Sequence, residues 1–151
     1  MTRASPRGRA RAAWYDESVD RDALVRTLAA ALARTHVRLA VLFGSRARGT
    51  GSAASDVDLA VLAPGDLDRI ALSVRLERES GVPVDVTSLE EAPYALLLEV
   101  LRDGVLVFER EPGAHARWTS RTLCELETDL PNLRRMQRGF TARVAREGLG
   151  G

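Results

Sequence analysis

The stretch GSRARGTGSAASDVD, residues 44–58, separates two short apolar segments of the chain. The flanking segments, VRLAVLF at 37–43 and VDLAVL at 57–62, are rich in aliphatic and β-branched residues, and a glycine ends the first, so each predicts a buried strand. The run between them is small, basic and glycine-rich, and it ends in two aspartates. A strand, a glycine-rich loop and a second strand therefore form the centre of the predicted fold.

The composition of the 151-residue chain is that of a globular protein, with 45% hydrophobic and 28% charged residues. No apolar run approaches the ~18 residues of a membrane span. The single cysteine, Cys124, excludes an internal disulfide and a zinc site built from several cysteines. The basic N-terminal segment lacks the apolar stretch of a signal peptide. We therefore expect a cytoplasmic protein that has no membrane partner.

The basic residues restrict how the chain could bind phosphate. All 22 are arginine and none is lysine, which excludes a Walker-type phosphate loop and Schiff-base chemistry. The net charge is only +1, whereas proteins that bind long nucleic acids usually carry a strong positive field. We therefore expect no extended nucleic acid as a partner.

Hydrophobic periodicity and turn residues predict the remaining elements. The predicted helices cover residues 20–35, 66–80, 89–102, 113–128 and 131–146, with a break at Pro131, and the predicted strands cover 37–43, 57–62, 82–87 and 105–108. This order predicts an α/β (α+β) fold with a small mixed sheet of about four strands and packed helices. We expect a flexible basic tail at 1–15 and a single domain at 16–146, with its C-terminal helices at 113–146.

Two aspartates at the start of a strand suggest a metal site. Side chains alternate along a strand, so Asp56 and Asp58 project together while Val57 points into the core. Two adjacent carboxylates repel each other unless a cation lies between them, and Mg²⁺ prefers oxygen ligands. Asp85, between two valines on a later strand, could complete a carboxylate triad of the kind that two-metal phosphoryl chemistry requires.

The loop before these aspartates suggests phosphate binding. If the residues after Gly44 form a helical turn, their backbone amides point toward the carboxylates, and glycine lets a phosphate approach closely. The hydroxyl of Ser45 can add a donor, and the guanidinium groups of Arg46 and Arg48 could grip phosphate oxygens. The tripeptide Asp-x-Asp alone means little, because it recurs at Asp66 and Asp68, where we interpret it as the cap of a helix.

Together these residues resemble a known signature. Gly44-Ser45, ten intervening residues, Asp56-Val57-Asp58 and a later Asp85 look like the motif of the DNA polymerase beta-like nucleotidyltransferases, and of the minimal nucleotidyltransferases in particular. The resemblance covers about residues 37–109. It implies a nucleotidyltransferase fold in which Gly44 and Ser45 hold the triphosphate, Asp56 and Asp58 bind metal, and Asp85 helps to activate the acceptor. It also implies Mg²⁺, expected as two ions, and ATP as the substrate.

The acceptor is open at this stage. Larger members usually add a separate acceptor domain, and about forty residues after the last strand are too few for one, so we expect a protein acceptor. The resemblance is closest to antitoxins that add AMP to a tyrosine of a toxin ribonuclease of the HEPN type (higher-eukaryote-and-prokaryote-nucleotide-binding). The alternatives are an antitoxin that acts by binding alone and an antibiotic-modifying adenylyltransferase.

Overall fold

The computed structural model describes residues 17–50 and 55–147, so the predicted tail at 1–15 lies outside the described residues. The helices are α1 (Glu17–Leu32), α2 (Ser45–Arg48), α3 (Arg69–Ser80), α4 (Tyr94–Asp103) and α5 (Ala114–Glu147), and the strands are β1 (Leu39–Phe43), β2 (Val57–Leu62), β3 (Val84–Ser88) and β4 (Val105–Glu109). The helical turn expected after Gly44 is present as α2. The predicted fold class is confirmed.

The four strands form one mixed sheet in the order β3-β2-β1-β4. β1 runs antiparallel to β2 and β4, whereas β2 and β3 are parallel and are joined through α3. A parallel pair needs such a crossover connection, and a helix is its usual form. The end of β1 and the beginnings of β2 and β3 consequently meet at one end of the sheet.

One face of the sheet packs against α1 and α3. The shared core contains side chains from both helices and from alternate positions of the strands, namely Leu28, Leu32, Leu76, Val57, Leu59, Val61, Val84 and Val86. All five residues of β1 are buried, so this central strand is covered on both faces, and α4 contacts it. Alternation leaves Asp58 and Asp85 on the face opposite the apolar residues that flank them.

Asp68 begins α3, which confirms the capping interpretation of the second Asp-x-Asp tripeptide. Its side chain accepts a hydrogen bond of 3.0 Å from the backbone N–H of Ala71. Gly81 ends the helix in the left-handed conformation. The helix therefore starts three residues later than Asp66, where the periodicity placed it.

Replacing Asp68 with alanine is expected to lower the free energy of unfolding by about 1 kcal/mol, because one N–H of the first turn loses its acceptor. Urea denaturation of both proteins measures this difference. Asp68→Asn is the matched control, since asparagine caps helices about as well as aspartate. Equal destabilisation by alanine and asparagine would contradict a capping role.

The predicted break at Pro131 is wrong, because α5 is one helix of 34 residues with Pro131 inside it. Proline removes one backbone hydrogen bond and costs about 3 kcal/mol in a helix interior. That cost falls on one turn only, and good helix formers such as leucine, glutamate and arginine on both sides favour continuation.

The chain divides into two compact units, with the boundary between His115 and Ala116. The sheet, α1 to α4 and the residues discussed below as a site belong to the first unit. The single domain expected over 16–146 stays a prediction. Among the described residues, no helix combines the length and the apolar character that crossing a membrane requires.

Candidate functional site

The register of the sheet brings two of the predicted site residues together. Asp58 of β2 pairs with Asp85 of β3 in the parallel ladder, and Phe43 at the end of β1 pairs with Asp58 on the other side. Residues paired across neighbouring strands project to the same face, so the two carboxylates lie side by side. The residues that flank each aspartate are buried, which leaves the carboxylates off the core.

The three predicted carboxylates differ in exposure. Asp56 directly precedes β2 and is exposed, Asp58 is half-buried, and Asp85 is exposed. Asp58 is therefore the innermost of the three. It is flanked by Asp85 on the neighbouring strand and by Asp56, two residues earlier in the chain.

Gly44 lies directly against Asp58. It joins β1 to α2 with φ 78° and ψ −159°. Essentially only glycine adopts this backbone conformation. A Cβ atom at this position would overlap Oδ2 of Asp58 and would lie 3.2 Å from its Cγ. Glycine is thus required twice, by the backbone conformation and by the neighbouring carboxylate. The predicted phosphate loop and the predicted metal ligand are in contact.

Electrostatics single out Asp58 within this group. Burial raises the pKa of its carboxyl group, and the negative charges of Asp85, Asp56 and Glu99 raise it further, while Arg48 lowers it. Ionising this carboxyl group therefore costs free energy in the folded chain, and a cation bound beside it would remove that cost.

The carboxyl group of Asp58 is expected to make the folded chain less stable as the pH rises. The carboxyl of Asp58 has a higher pKa in the folded chain than the ordinary value of 3.8, so the folded state binds this proton more tightly. The free energy of unfolding then falls as the pH rises from 3.8 through the raised pKa, and stays lowered at neutral pH.

Asp58→Asn cannot ionise and should be more stable than the wild-type chain at neutral pH. The difference should shrink at acidic pH, where the wild-type carboxyl is protonated. Urea denaturation of both proteins across this range, with EDTA to remove divalent cations, measures the effect. A difference that is independent of pH would show that it does not come from the charge.

Arg46 holds the loop instead of facing solvent. Its side chain is 8% exposed, and its Nε donates a hydrogen bond of 3.0 Å to the backbone carbonyl of Ser55, the residue before Asp56. Arg21 of α1 donates from Nη1 to the carbonyl of Ala47 at 3.2 Å. These two contacts fix α2 relative to the start of β2 and to α1. The phosphate contact expected of Arg46 stays a prediction.

Arg48 contacts α4. Its Nη1 lies 2.7 Å from Oε1 of Glu99 and 3.9 Å from Oδ2 of Asp103. Neither acidic residue is among those predicted from the sequence. They are four residues apart and so share a face of α4, but the sequence does not indicate that this face meets α2. The phosphate contact expected of Arg48 also stays a prediction.

The metal-binding role of Asp56, Asp58 and Asp85 also stays a prediction. Within residues 17–50 and 55–147, no three Asp, Glu, His or Cys side chains are grouped so that they could hold a metal ion by themselves. Mg²⁺ in nucleotide-processing enzymes is usually bound by one or two carboxylates together with substrate phosphates and water. The adjacent carboxylates of Asp58 and Asp85 fit that mode of binding, in which the nucleotide supplies the missing ligands.

A comparison with protein families identifies the domain. The family model described as "Polymerase beta, Nucleotidyltransferase" matches residues 27–113, which is more than half of the 151-residue chain. The matched range contains all seven residues predicted to form the site. No curated protein matches the sequence at a significant level.

Solved structures share the fold. The crystal structure of a toxin–antitoxin with AMP-PNP has a TM-score of 0.61 and 23% identity, and the match covers 87% of this chain and 99% of that chain. The MntA–HepT toxin–antitoxin has a TM-score of 0.60 and 20% identity, over 85% and 98%. The tri-AMPylated Shewanella oneidensis HEPN toxin in complex with MNT antitoxin has a TM-score of 0.59 and 20% identity, and the match covers 86% of this chain and 99% of that chain. The predicted resemblance is confirmed.

Proposed function

The chain belongs to the polymerase beta nucleotidyltransferase family, and we propose that it transfers AMP from ATP to a hydroxyl group of a partner protein. We propose further that the partner is a toxin of the HEPN type, that a tyrosine is the acceptor, and that this chain is the antitoxin. The structures with which it shares its fold support this assignment, since they are toxin–antitoxin complexes, one with AMP-PNP and one with an AMPylated toxin.

One observation carries the catalytic part of the proposal. Asp58 is in register with Asp85 and is packed against Gly44. A loop suited to a phosphate and a carboxylate suited to a metal therefore lie next to each other, at the place where the family motif requires them. A chain that acted only by binding its partner would have no need to keep charges of the same sign together here.

The residues of the site fit ATP with magnesium. Asp56, Asp58 and Asp85 would hold Mg²⁺ together with the phosphate oxygens of the nucleotide. Two ions, when bound, neutralise the triphosphate and increase the acidity of the attacking hydroxyl. The backbone at Gly44 and the hydroxyl of Ser45 would orient the triphosphate, and Arg46 and Arg48 are candidates for further phosphate contacts.

The reaction is an in-line displacement at the α-phosphorus of ATP. A bond forms between the acceptor oxygen and this phosphorus, and the bond to the oxygen that bridges to the β-phosphorus breaks. Pyrophosphate leaves with the electron pair of the broken bond. Asp85 is exposed, unlike the half-buried Asp58, and would accept the proton that the hydroxyl loses.

A groove beside Asp85 supports a protein as the acceptor. It has a volume of about 410 Å³ and runs between α3 and β3. Ile70 and Val74 line it from one face of α3, with 79% and 42% of their surface exposed. Exposed apolar side chains along a groove at the edge of the sheet favour contact with a partner surface. A small polar acceptor would gain little from them.

The test uses ATP labelled at the α-phosphate, Mg²⁺ and a purified HEPN-type toxin. We expect the label to move onto the toxin and mass spectrometry to find AMP on a tyrosine. Transfer to an aminoglycoside or another small molecule would favour an antibiotic-modifying enzyme. Tight binding of the toxin without any transfer would favour an antitoxin that acts by contact. Either result overturns the proposal.

A further inference from the structure

The ion pair between Arg48 and Glu99 connects the glycine-rich loop to α4. The two residues are 51 positions apart in the chain, and their Nη1 and Oε1 atoms are 2.7 Å apart. The side chains are 39% and 32% exposed, so the contact is partly shielded from water. Asp103, one turn further along α4, lies 3.9 Å from the same nitrogen. Arg48 therefore links the glycine-rich loop to two carboxylates of α4.

This pair adjoins the acidic site. The backbone N–H of Arg48 donates a hydrogen bond of 3.2 Å to the carbonyl of Gly44, and Gly44 lies against the carboxylate of Asp58. Arginine has five N–H donors in a planar arrangement, and the contact with Glu99 uses only one nitrogen. Glu99 therefore leaves the other donors of the Arg48 guanidinium for a further acceptor.

A glutamate at this position has an apparent disadvantage. Its negative charge adds to those of Asp56, Asp58 and Asp85 and should repel a triphosphate. Against this, an unpaired arginine side chain has many rotamers, and fixing it on a ligand costs conformational entropy. A carboxylate that already holds the guanidinium removes most of that cost.

On the premise of the proposed function, we infer that Glu99 is a positioning residue, which fixes the guanidinium of Arg48 at the glycine-rich loop so that its remaining donors meet the triphosphate. Glu99 itself does not touch the nucleotide. The direction in which nucleotide affinity changes distinguishes this role from simple repulsion. Removing the negative charge of Glu99 weakens nucleotide binding, whereas simple electrostatic repulsion predicts that binding becomes tighter.

The experiment measures binding by calorimetry, with Mg²⁺ and an ATP analogue that carries a methylene group between the α- and β-phosphorus atoms, so that no transfer occurs. We expect Arg48→Ala to raise Kd about 30-fold, as for the loss of a charged hydrogen bond. We expect Glu99→Ala to raise Kd about 5-fold. The double variant should bind no more weakly than Arg48→Ala, because Glu99 acts through Arg48.

Two further variants separate positioning from a general effect on the fold. In Glu99→Ala, Asp103 could take over the contact with Arg48. Glu99→Ala combined with Asp103→Asn should therefore bind the analogue no more tightly than Glu99→Ala alone. The charge-swapped variant, Arg48→Glu with Glu99→Arg, can rebuild the ion pair between the two elements. Its unfolding temperature should be closer to that of the wild-type chain than the unfolding temperatures of the two single substitutions are. Its nucleotide affinity should stay below that of the wild-type chain.

Arg102→Ala is the matched control on the same helix. Arg102 is 71% exposed and pairs with Asp103 at 2.9 Å. Its removal should leave Kd within about twofold of the wild-type value, as for surface ion pairs in general.

Tighter or unchanged binding in Glu99→Ala overturns the role of Glu99, and so does a double variant whose loss equals the two single losses combined. These results would leave the proposed function intact, since the wild-type chain would still bind the analogue and transfer AMP. A wild-type chain that neither binds the analogue nor transfers AMP would overturn the proposed function and this role together.

Discussion

Replacing Asp58 with asparagine is expected to lower the rate of AMP transfer to the partner about 1,000-fold and to leave binding of the partner intact. Asparagine has nearly the same shape but carries no charge, so it cannot hold Mg²⁺ as a carboxylate does. Metal ions stabilise the transition state of phosphoryl displacement by several kcal/mol, and each 1.36 kcal/mol corresponds to about a tenfold change in rate. Asp56→Asn should behave in the same way.

The measurement is a single-turnover assay with ATP labelled at the α-phosphate, together with a pull-down of the partner. Asp68→Asn is the matched control, because Asp68 belongs to the other Asp-x-Asp tripeptide and caps α3. It should leave transfer unchanged. Asp58→Asn is expected to be more stable than the wild-type chain at neutral pH, and its urea denaturation checks that lost activity does not come from unfolding. Transfer at the wild-type rate by Asp58→Asn would falsify the catalytic role.

Local patterns in the sequence predicted the strands and the loop. The alternation around Asp58 and Asp85 indicated that both side chains leave the core, and the structure has buried residues on either side of each. The pairing of Asp58 with Asp85 could not be predicted in the same way. It depends on the parallel register of β2 and β3, which is set by how α3 packs after the crossover, and no local residue pattern encodes that packing.

The two arginines of the loop show the same limit. Both were expected to contact phosphate because both follow the glycine, and that stays a prediction for each. The structure gives them different protein partners, since Arg46 is buried on the carbonyl of Ser55 and Arg48 pairs with Glu99 of α4. Sequence spacing within a four-residue turn does not distinguish these positions. What distinguishes them is which of them meets α4, an element some fifty residues later in the chain.

Pro93 marks the beginning of α4. The periodicity placed the start of this helix at Leu89, whereas it begins at Tyr94 with Pro93 as the N-cap. Proline is disfavoured inside a helix and common at its beginning, so Pro93 was the better indication of the boundary. The same rule, applied to Pro131, gave the wrong break in α5. Proline in a long helix costs stability without necessarily ending it.

Replacing Gly44 with alanine is expected to abolish measurable AMP transfer, with a loss of at least about 100-fold, and to lower the free energy of unfolding by about 2–3 kcal/mol. The stability loss follows from backbone strain at φ 78° and ψ −159°. The activity loss follows from overlap of the new methyl group with Oδ2 of Asp58, which must move. Displacing a catalytic group by about 1 Å can cost a factor of about 100.

Gly49→Ala separates these two effects, because Gly49 also has a positive φ, 73°, but, among the residues that the structure describes and apart from its chain neighbours, no atom lies within 4 Å of the position that a Cβ would take. It should therefore lose about 1 kcal/mol of stability from the left-handed backbone and keep most of its activity. Denaturant unfolding and the transfer assay on both variants measure this contrast. If the two alanine variants lost activity to the same extent, strain in the loop would explain the result. Contact between Gly44 and Asp58 would then have no special role in holding the carboxylate.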